Sequence, residues 1–521
     1  MASIPGSQYD VYAGGQQIFF NDTGGTGFHL EVVYNATGTG NGFIDPGYDG
    51  LVYVSTDAGH TVLTMSHGDF KITDSGSNDT IYLGDGAETI VGATGDTLYG
   101  GTGNNQFLDA TQGAQTVYGG SAGSETIWAG ASSFVFGGSG GDETIVGAAG
   151  ATIVGGSGGN ETIIGSTTTT IYGGSGGYEE IRGAYGEHIY GGSGGDEFIK
   201  SVGNSTITGG SGGNETIWGG VGDSIIGGTD GNETIVGFFG TSIFGGSGGN
   251  EFINGYLGSQ TITGGSGGNE TIWGAGSDSI IGGTGGYEEI DVVSGATVRG
   301  GSGGDEFIQS TGGASITGGS GGNETIWGGS GDTITGGSGG NETIVAAAGS
   351  TITGGSGGNE VLNGYLGSVS IVGGSGGNET IIGGTSDTIT GGAANTFIDG
   401  TAGGESISAG GGSTTVWGAS DDTIQGASGS GSATIAFGAS DTNETIWDDG
   451  STSTGNDTVY NFSQTSGDRI SLNSATDDAT TVVANSTEVG GNVVVHLSDG
   501  SNITLVGVSK ASLDNSYFTT H

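Results

Sequence analysis

The sequence GGSGGNETIWGGVGDSII, residues 209–226, is one 18-residue unit of a repeat that runs through most of this chain. A unit this short cannot bury its apolar side chains alone and must stack on its neighbours. The repeat therefore predicts an all-β chain, a parallel β-roll or β-solenoid with one 18-residue coil per layer. It is marked by fifteen glutamates that recur every 18 residues, with two intervals of 19: Glu125, Glu143, Glu161, Glu179, Glu197, Glu215, Glu233, Glu251, Glu270, Glu288, Glu306, Glu324, Glu342, Glu360 and Glu379.

The composition bounds the class of protein. The 521 residues include 127 glycines, 2 prolines and no cysteine. An isoleucine recurs in phase with nearly every unit, which disordered glycine-rich sequence does not do, so we predict an ordered chain with a thin core. Asp and Glu outnumber Lys and Arg by 55 to 6, a formal charge of −49. This balance argues against nucleic acid and anionic membranes as partners and favours cations. No apolar run is long enough to predict a membrane span.

Each unit divides into a ten-residue half, such as GGSGGNETIW, and an eight-residue half, such as GGVGDSII. We call them the wide half and the narrow half. Each half is predicted to end in a short strand, and successive side chains of a strand point to opposite faces. We therefore expect Ile217 and Ile225 to point inward, and Thr216 and Trp218 to point outward.

The repeat is regular in only part of the chain. Residues 1–76 are irregular and rich in predicted strands, so we expect an N-terminal β cap or connector there. We assign residues 77–400 to the β-roll array, 401–454 to degenerate coils and 455–521 to a C-terminal β region. In the last region, the segments VVVHL and ITLV predict two strands joined by a turn that contains Asp-Gly.

The glutamates are expected to stand in single file, about 4.8 Å apart. Like charges at that distance repel each other, so the file needs neutralisation. Three interpretations are open at this point. Hard cations such as Ca²⁺ could bind between the carboxylates and the carbonyl groups of the glycine-rich turns. The glutamates could instead form a solvated, like-charged edge, or they could contact another copy of the chain.

Two segments, SNDTIYLG at Ser77–Gly84 and GNDTVYNF at Gly455–Phe462, resemble the RTX, or haemolysin-type, calcium-binding repeat with the consensus G-G-x-G-x-D-x-U-x. Repeat-like sequence covers residues 77–460. The resemblance implies a parallel β-roll that binds Ca²⁺ between layers, with Asp79 and Asp457 at the position of the family's calcium aspartate. Carried over to the array, it implies that the fifteen glutamates are metal ligands as well. The narrow half has no fixed acid, so in the array we expect calcium along one edge only.

Two further residue types recur with the glutamates. Asparagine precedes most of them, as at Asn214 and Asn232, and we expect these amides to form a ladder between coils; N-glycosylation of the N-E-T pattern is the alternative. Four tryptophans follow the inward isoleucine of the wide half, and we expect them on the outer face, either as anchors for a sugar or protein partner or packed against the strand face. They are Trp128, Trp218, Trp273 and Trp327.

The end of the chain carries a second resemblance. Asp457–Phe462, Asp468–Leu472 and Asp499–Val508 are similar to the C-terminal region of RTX proteins exported by type I secretion. This similarity implies a type I transporter as a partner, a secreted, extracellular or cell-surface location, and folding on contact with external Ca²⁺.

The sequence favours a structural role. The six histidines form no metalloprotease or triad-like grouping, and no glycine-rich loop ends in the lysine of a P-loop, so we predict that the protein is not an enzyme. We expect a rigid β-roll that assembles with copies of itself into an extracellular fibre, surface layer or biofilm matrix and is stabilised by Ca²⁺. The alternatives are a calcium-dependent adhesin that binds cell-surface glycan and, third, ice binding by rows of threonine.

Overall fold

The computed structural model describes residues 69–429, 431–447 and 455–521, together with the backbone of five strands before residue 69. It confirms the predicted fold class, an all-β parallel β-solenoid of about 21 turns of 18 residues with almost no helix. The chain divides into two compact units: unit 1 is Met1–Thr261 with Gly265–Gly268, and unit 2 is Ile262–Gly264 with Asn269–His521.

Every coil places one strand in each of two sheets. The wide halves form the wide sheet and the narrow halves form the narrow sheet, and within each sheet the strands of successive coils pair in parallel. In unit 1, Glu215 pairs with Glu233 in the wide sheet, and Ile225 pairs with Ile243 in the narrow sheet. The repeat period therefore appears directly as strand register.

The strand bounds follow the two halves of the repeat. The wide sheet of unit 1 contains His29–Tyr34, Asp49–Val54, Phe70–Asp74, Thr89–Val91, Gln106–Ala110, Glu125–Ala129, Glu143–Val146, Glu161–Ile164, Glu179–Arg182, Glu197–Lys200, Glu215–Trp218, Glu233–Val236 and Glu251–Gly255. Its narrow sheet contains Ile18–Phe19, Asn41–Ile44, Thr61–Thr64, Thr80–Tyr82, Thr97–Tyr99, Thr116–Tyr118, Phe134–Phe136, Thr152–Val154, Thr170–Tyr172, His188–Tyr190, Thr206–Thr208, Ser224–Ile226 and Ser242–Phe244. The strand Thr261–Thr263 contains the boundary between the units.

Unit 2 repeats this arrangement. Its wide sheet contains Glu270–Gly274, Glu288–Val292, Glu306–Ser310, Glu324–Gly328, Glu342–Ala346, Glu360–Asn363, Asn378–Ile382, Asn395–Asp399, Ser413–Gly418, Ser432–Phe437, Asn456–Tyr460, Asn502–Leu505, Asn492–His496 and Thr487–Val489. Its narrow sheet contains Ser279–Ile281, Thr297–Arg299, Ser315–Thr317, Thr333–Thr335, Thr351–Thr353, Ser370–Val372, Thr388–Thr390, Ser406–Ser408, Thr423–Gln425, Thr445–Trp447, Arg469–Leu472 and Phe518–Thr520. One α-helix, Ala479–Asn485, and the 3₁₀ turns Gln464–Ser466, Lys510–Ser512 and Asn515–Tyr517 complete the described elements.

The core lies between the two sheets and consists mainly of one isoleucine from each strand. Ile217 and Ile225 are 1% and 0% exposed, whereas Trp218 is 43% exposed. The predicted inward and outward positions are therefore confirmed. Burial of these β-branched side chains on parallel strands is the main apolar contribution to each coil.

Both ends of the repeat continue into paired strands. In the N-terminal region, His29–Tyr34 pairs in parallel with Asp49–Val54, so strands before residue 77 already follow the coil pattern. Near the C-terminus, Asn492–His496 and Asn502–Leu505 pair in antiparallel fashion, which confirms the predicted hairpin. The proposed domain boundaries at residues 77, 401 and 455 stay predictions.

Among the described residues, the chain forms no helix with both the length and the apolar character that crossing a membrane requires.

Candidate functional site: two buried columns of polar side chains

The repeated glutamates form a column inside each unit. In unit 1 they pair coil to coil from Glu125 to Glu251, and in unit 2 from Glu270 to Glu379. The predicted single file is thus confirmed within each unit. All fifteen side chains are only 1–5% exposed. The alternatives of a solvated edge and of a contact with another copy are therefore wrong for these residues, because the carboxyl groups point into the protein.

Strand alternation explains this direction. Glu215 is the first residue of its strand and lies two positions before the buried Ile217, so both side chains point to the same face. The same spacing holds throughout the array. The signal was present in the sequence, but the acidic character of the residue suggested solvent or a cation site instead.

The carboxyl groups accept hydrogen bonds from the glycine pair of the wide turn. The amide of Gly174 donates to Glu179 at 2.6 Å, five residues ahead of it. The amide of Gly301 lies between two carboxyl groups: it donates to Glu306 of its own coil and, at 3.1 Å, to Glu288 of the preceding coil. Carboxyl groups and backbone amides therefore alternate along the column.

The glycine pair is required by this close approach. A Cβ atom on Gly210 would lie 1.9 Å from Oε2 of Glu197 and 2.5 Å from the carbonyl oxygen of Gly192. A Cβ on Gly228 would likewise lie 1.9 Å from Oε2 of Glu215. The recurrence of Gly-Gly before the glutamate in the sequence thus has a steric cause, because the backbone must come within hydrogen-bond distance of the buried carboxyl.

A neutral side chain occupies the same column at Gln106, which pairs with Glu125. Its Oε1 accepts from the amide of Gly101 at 2.7 Å, which is the bond that a glutamate accepts elsewhere, and its Nε2 donates to the carbonyl oxygen of Gly84 at 3.0 Å. A negative charge is therefore not required at this position.

The narrow half carries a second buried column, which sequence reasoning missed because the residue type varies. In unit 1 it consists of Asp79, Asp96, Gln115, Ser133, Ala151, Thr169, Glu187, Ser205, Asp223, Thr241 and Gln260, and in unit 2 of Asp278, Ala296, Ala314, Asp332, Ser350, Val369, Asp387, Glu405, Asp422, Glu444 and Asp468. The signal that could have found it is again alternation, since each member lies two positions before a buried aliphatic residue.

The aspartates of this narrow column bridge two coils. Asp332 accepts from the amide of Ala314, one coil earlier, and from the amide of Gly329 of its own coil, each at 2.7 Å. Asp223 accepts in the same way from Ser205 at 2.7 Å and from Gly220 at 2.6 Å. Both carboxylate oxygens are satisfied by backbone donors, so these aspartates have a structural explanation.

One acidic cluster has the composition of a cation site. Asp74, Asp79 and Asp96 are all buried, and one carboxylate oxygen from each lies within 4.8 Å of the others. Oδ1 of Asp74 accepts from the amide of Gly76 at 2.8 Å, whereas its Oδ2 is buried and receives no donor. Burial first, and then the neighbouring carboxyl groups, raise the pKa of Asp74 to about 8. Oδ1 and Oδ2 of Asp96 accept from the amides of Asp79 and Ala93 at 2.9 and 2.5 Å, so Asp74 contributes a donor-free oxygen to the cluster and Asp96 does not. Three buried carboxylates facing one another are the hard oxygen donors that Ca²⁺ takes.

The two residues predicted as family calcium aspartates lie in different surroundings. Asp79 belongs to the cluster, together with Asp74 and Asp96, which the sequence did not single out. Asp457 lies in the wide sheet, is 7% exposed, and accepts from the amides of Ala427 and Ala433 at 3.1 and 3.0 Å. Asp457 is therefore occupied by backbone donors.

The glutamate columns fit Ca²⁺ poorly. Amide hydrogens, not carbonyl oxygens, point at these carboxyl groups, and Ca²⁺ needs six to eight oxygen ligands. Within the part of the chain that the structure describes, only Asp74, Asp79 and Asp96 bring three acidic ligand atoms within 4.8 Å. The surroundings of these glutamates match a hydrogen-bond acceptor.

Burial changes the electrostatics of the whole molecule. Among the described residues, 29 Asp and Glu side chains are buried, whereas none of the six Lys and Arg residues is. Burial raises the pKa of Glu125, Glu143 and Glu161 to about 7. For Glu360, burial and then the charge of Glu342 raise the pKa to about 8. The formal charge of −49 therefore overstates the charge of the folded protein near neutral pH.

The asparagines form the predicted ladder on the exposed side of the wide turn. Nδ2 of Asn232 donates to Oδ1 of Asn214 at 3.1 Å, and Nδ2 of Asn341 donates to Oδ1 of Asn323 at 3.2 Å. Asp196 replaces asparagine at one coil and accepts from Asn214. The ladder explains the recurrent asparagine without glycosylation.

The four predicted tryptophans are on the outer face, each 43–50% exposed. Three of them make edge-to-face contacts with a phenylalanine of the preceding coil: Trp128 with Phe107, Trp218 with Phe198 and Trp327 with Phe307, at centroid distances of 5.1–5.5 Å. Trp417, which was not predicted, contacts Phe397 in the same way. Strand-face packing therefore accounts for these contacts, and the free ring surface stays available to a partner.

No protein-family model matches the chain, and no curated protein or solved structure matches it either. The resemblance to the RTX family therefore depends on the two sequence segments and on the parallel β-solenoid, with which it is consistent.

Proposed function

We propose that the protein is a secreted, non-enzymatic structural protein whose β-roll assembles with further copies into an extracellular fibre, surface layer or biofilm matrix. The observation that carries the proposal is the outer face of the narrow sheet of unit 1. From Thr80–Tyr82 to Ser242–Phe244, its outward side chains are Thr, Ser, aromatic or aliphatic residues and one histidine, with no Asp, Glu, Lys or Arg.

A face of this kind favours a second copy of the chain as its partner. Two acidic molecules can approach through a face without carboxylates at low electrostatic cost. The side-chain rows repeat at about 4.8 Å, so the rows of another solenoid of the same rise match them over many coils. Flat β faces of this composition pack on each other about 10 Å apart.

The aromatic side chains on this face support a protein partner over a sugar. Tyr82, Tyr99, Tyr118 and Phe136 stack on one another, with centroid distances of 4.4, 4.8 and 5.1 Å and nearly parallel rings. Each inner ring is covered on both faces by its neighbours, so the row presents ring edges to the outside. Stacking on a sugar needs a free ring face, which the inner rings Tyr99 and Tyr118 do not offer.

The corresponding face of unit 2 is dominated by hydroxyl groups. From Ser279–Ile281 to Ser406–Ser408, its outward residues are mostly Thr and Ser, and Arg299 is the one charged side chain among them. These rows of threonine are the observation that favours ice binding, the third alternative. The exposed tryptophans of the wide sheet favour the other alternative, a calcium-dependent adhesin that binds cell-surface glycan.

The calcium site of the proposed function is the cluster of Asp74, Asp79 and Asp96. These three residues would hold the ion, and the ion would supply positive charge to three buried carboxylates. A ligand that binds only the folded form stabilises it, which would link folding to external Ca²⁺. Export by a type I transporter and membership of the RTX family belong to the same proposal and depend on the segments at Asp457–Phe462, Asp468–Leu472 and Asp499–Val508.

Assembly can be tested by electron microscopy and light scattering of the purified full chain, with Ca²⁺ and with chelator. We expect filaments or sheets for the wild type, and dispersed particles for Thr170→Glu/Thr206→Glu/Thr208→Glu, which adds charge to the narrow face. The matched control is Thr162→Glu/Thr216→Glu/Thr234→Glu on the outer face of the wide sheet, with circular dichroism to verify folding. Dispersed wild-type particles in every condition would contradict the proposed function.

A further inference from the structure

We infer that bound protons, and not Ca²⁺, neutralise the glutamate column of each unit. The solenoid is then most stable when these buried carboxyl groups are uncharged. The inference goes beyond the proposed function, because it concerns what holds the coils together and not what the assembled protein does.

The first support is the shortage of hydrogen-bond donors. Several column oxygens are buried and have no hydrogen-bond donor in good geometry: Oε2 of Glu143, Oε2 of Glu161, and both carboxyl oxygens of Glu215, Glu342 and Glu360. Glycine amides lie near some of them, as Gly210 and Gly228 do at Glu215, but they lower the pKa of Glu215 by less than burial raises it. An ionised carboxylate without donors in the interior is far more costly than the neutral acid. The backbone provides too few amides to keep a whole column ionised, because an amide such as that of Gly301 is shared by two carboxyl groups.

The second support is the set of groups that face each carboxyl. The charged groups that act on Glu179 are Glu161 and Glu197, and those that act on Glu306 are Glu288 and Glu324, all from adjacent coils of the same sheet. Across the core, the strands of the narrow sheet contribute buried isoleucines, such as Ile189 and Ile316. No lysine or arginine is buried anywhere in the described residues, so no side-chain cation offsets this repulsion.

Neighbouring carboxyl groups are close enough to share protons. The amide of Gly301 donates to both Glu288 and Glu306, so the carboxyl oxygens of these two residues meet at one donor. A hydrogen bond between two carboxyl groups exists only when one of them is protonated. Gln106 shows that a neutral side chain satisfies the same amide of the glycine pair.

The direction of the pH dependence follows from these groups. Burial, with repulsion from neighbouring glutamates, raises the pKa of Glu324 and Glu342 to about 7 and that of Glu179 and Glu360 to about 8. A group whose pKa is raised on folding contributes stability that is complete below its unfolded pKa, about 4.3, and is lost as the pH rises through the folded value. We therefore expect stability to fall as the pH rises from about 4.3 to about 8, and to level off above that.

The chain contains a matched pair of positions for the test. Glu288 and Glu289 are adjacent in one strand, but Glu288 is buried in the column whereas Glu289 points outward. Thermal unfolding of the full chain should be followed by circular dichroism from pH 5 to pH 9 in chelator. We expect Glu288→Gln to raise the melting temperature at pH 9 by about 2–4 °C, to leave it nearly unchanged at pH 5, and thus to flatten the pH profile. Glu289→Gln should leave the profile as it is in the wild type.

Calcium ligation predicts the opposite result. If the column binds Ca²⁺, Glu288→Gln will lower the melting temperature in Ca²⁺ and reduce the number of ions bound in calorimetry, and the inference is then wrong. Infrared spectroscopy of the wild type provides a test that needs no variant. Protonated carboxyl absorption at pH 7 that disappears by pH 9 supports the inference, and its absence at pH 7 contradicts it.

Discussion

The wide and narrow columns both join successive coils through buried polar side chains, but they do so with different residues. The wide column keeps glutamate for fifteen coils, whereas the narrow column varies among Asp, Glu, Gln, Ser, Thr, Ala and Val. In the narrow column, Asp332 receives one amide donor for each carboxylate oxygen. In the wide column, Glu288 and Glu306 share the amide of Gly301.

The difference concerns how a buried acid is stabilised. A carboxylate with two backbone donors can stay ionised in the interior, because the donors replace its hydration. A stacked carboxyl with a shared donor cannot, and is stable mainly as the neutral acid. Similar sequence positions in the two halves of one coil thus differ in the number of backbone donors that each carboxyl receives, which the following predictions test.

The largest effect is expected from Gly210→Ala in the wide turn. The new Cβ would lie 2.5 Å from the carbonyl oxygen of Gly192 and 1.9 Å from Oε2 of Glu197, so the coil must shift. We expect a loss of about 3 kcal/mol in the free energy of unfolding, at the upper end for overpacking. Chemical denaturation measures it. The control is Gly411→Ala, where the added Cβ meets open space; equal losses for both variants would contradict the steric role of the glycine pair.

The second largest effect is expected when a carboxyl group is replaced by an amide in the narrow column and, for comparison, in the wide column. Asp332→Asn removes one of two acceptors and should cost about 1–3 kcal/mol, because a buried amide loses its partner. Glu324→Gln removes a carboxyl that is stable as the neutral acid and should stabilise the protein at pH 9. Denaturation of both variants at pH 9 measures the two signs. The comparison fails if both substitutions destabilise the protein equally.

A smaller effect is expected at the Asp74 cluster. The wild type should melt several degrees higher in millimolar Ca²⁺ than in chelator, and Asp74→Asn should lose most of this difference, because a donor-free carboxylate oxygen is removed from the cluster. Calorimetric scans with and without Ca²⁺ provide the measurement, and Asp109→Asn on the outer face is the control. An unchanged calcium response in Asp74→Asn would place the ion elsewhere.

The smallest effect is expected in the exposed ladder. Asn341 donates to Asn323 at 3.2 Å and accepts from Asn359 at 3.3 Å. Asn341→Ala should cost no more than about 1 kcal/mol, since solvent replaces these bonds. Urea titration of Asn341→Ala and Asp332→Asn measures the two losses in the free energy of unfolding. A larger loss for Asn341→Ala would contradict the expectation that the buried cross-coil bonds contribute more than the exposed ones.

Much of the architecture was predictable from the repeat. The 18-residue period predicts stacking in register, and strand alternation predicts the burial of Ile217 and the exposure of Trp218. The same alternation predicts that Glu215, two positions before Ile217, is also buried. That prediction conflicts with the usual preference of acidic side chains for solvent. The Asp74 cluster was not predictable in this way, because Asp74 lies outside the segment that resembles the calcium repeat.

The amino-acid sequence by itself determined the coil, its two unequal halves, the direction of each apolar side chain and the asparagine ladder, because all of these are local consequences of a period. Only the tertiary structure decided that the glutamates are buried against backbone amides, and that 29 carboxyl groups of the described residues lie inside without a buried lysine or arginine. It also decided that the strands from Thr80–Tyr82 to Ser242–Phe244 present an outer face without charged side chains. These features arise between coils, where the donors, the neighbouring charges and the solvent around each carboxyl are set by stacking.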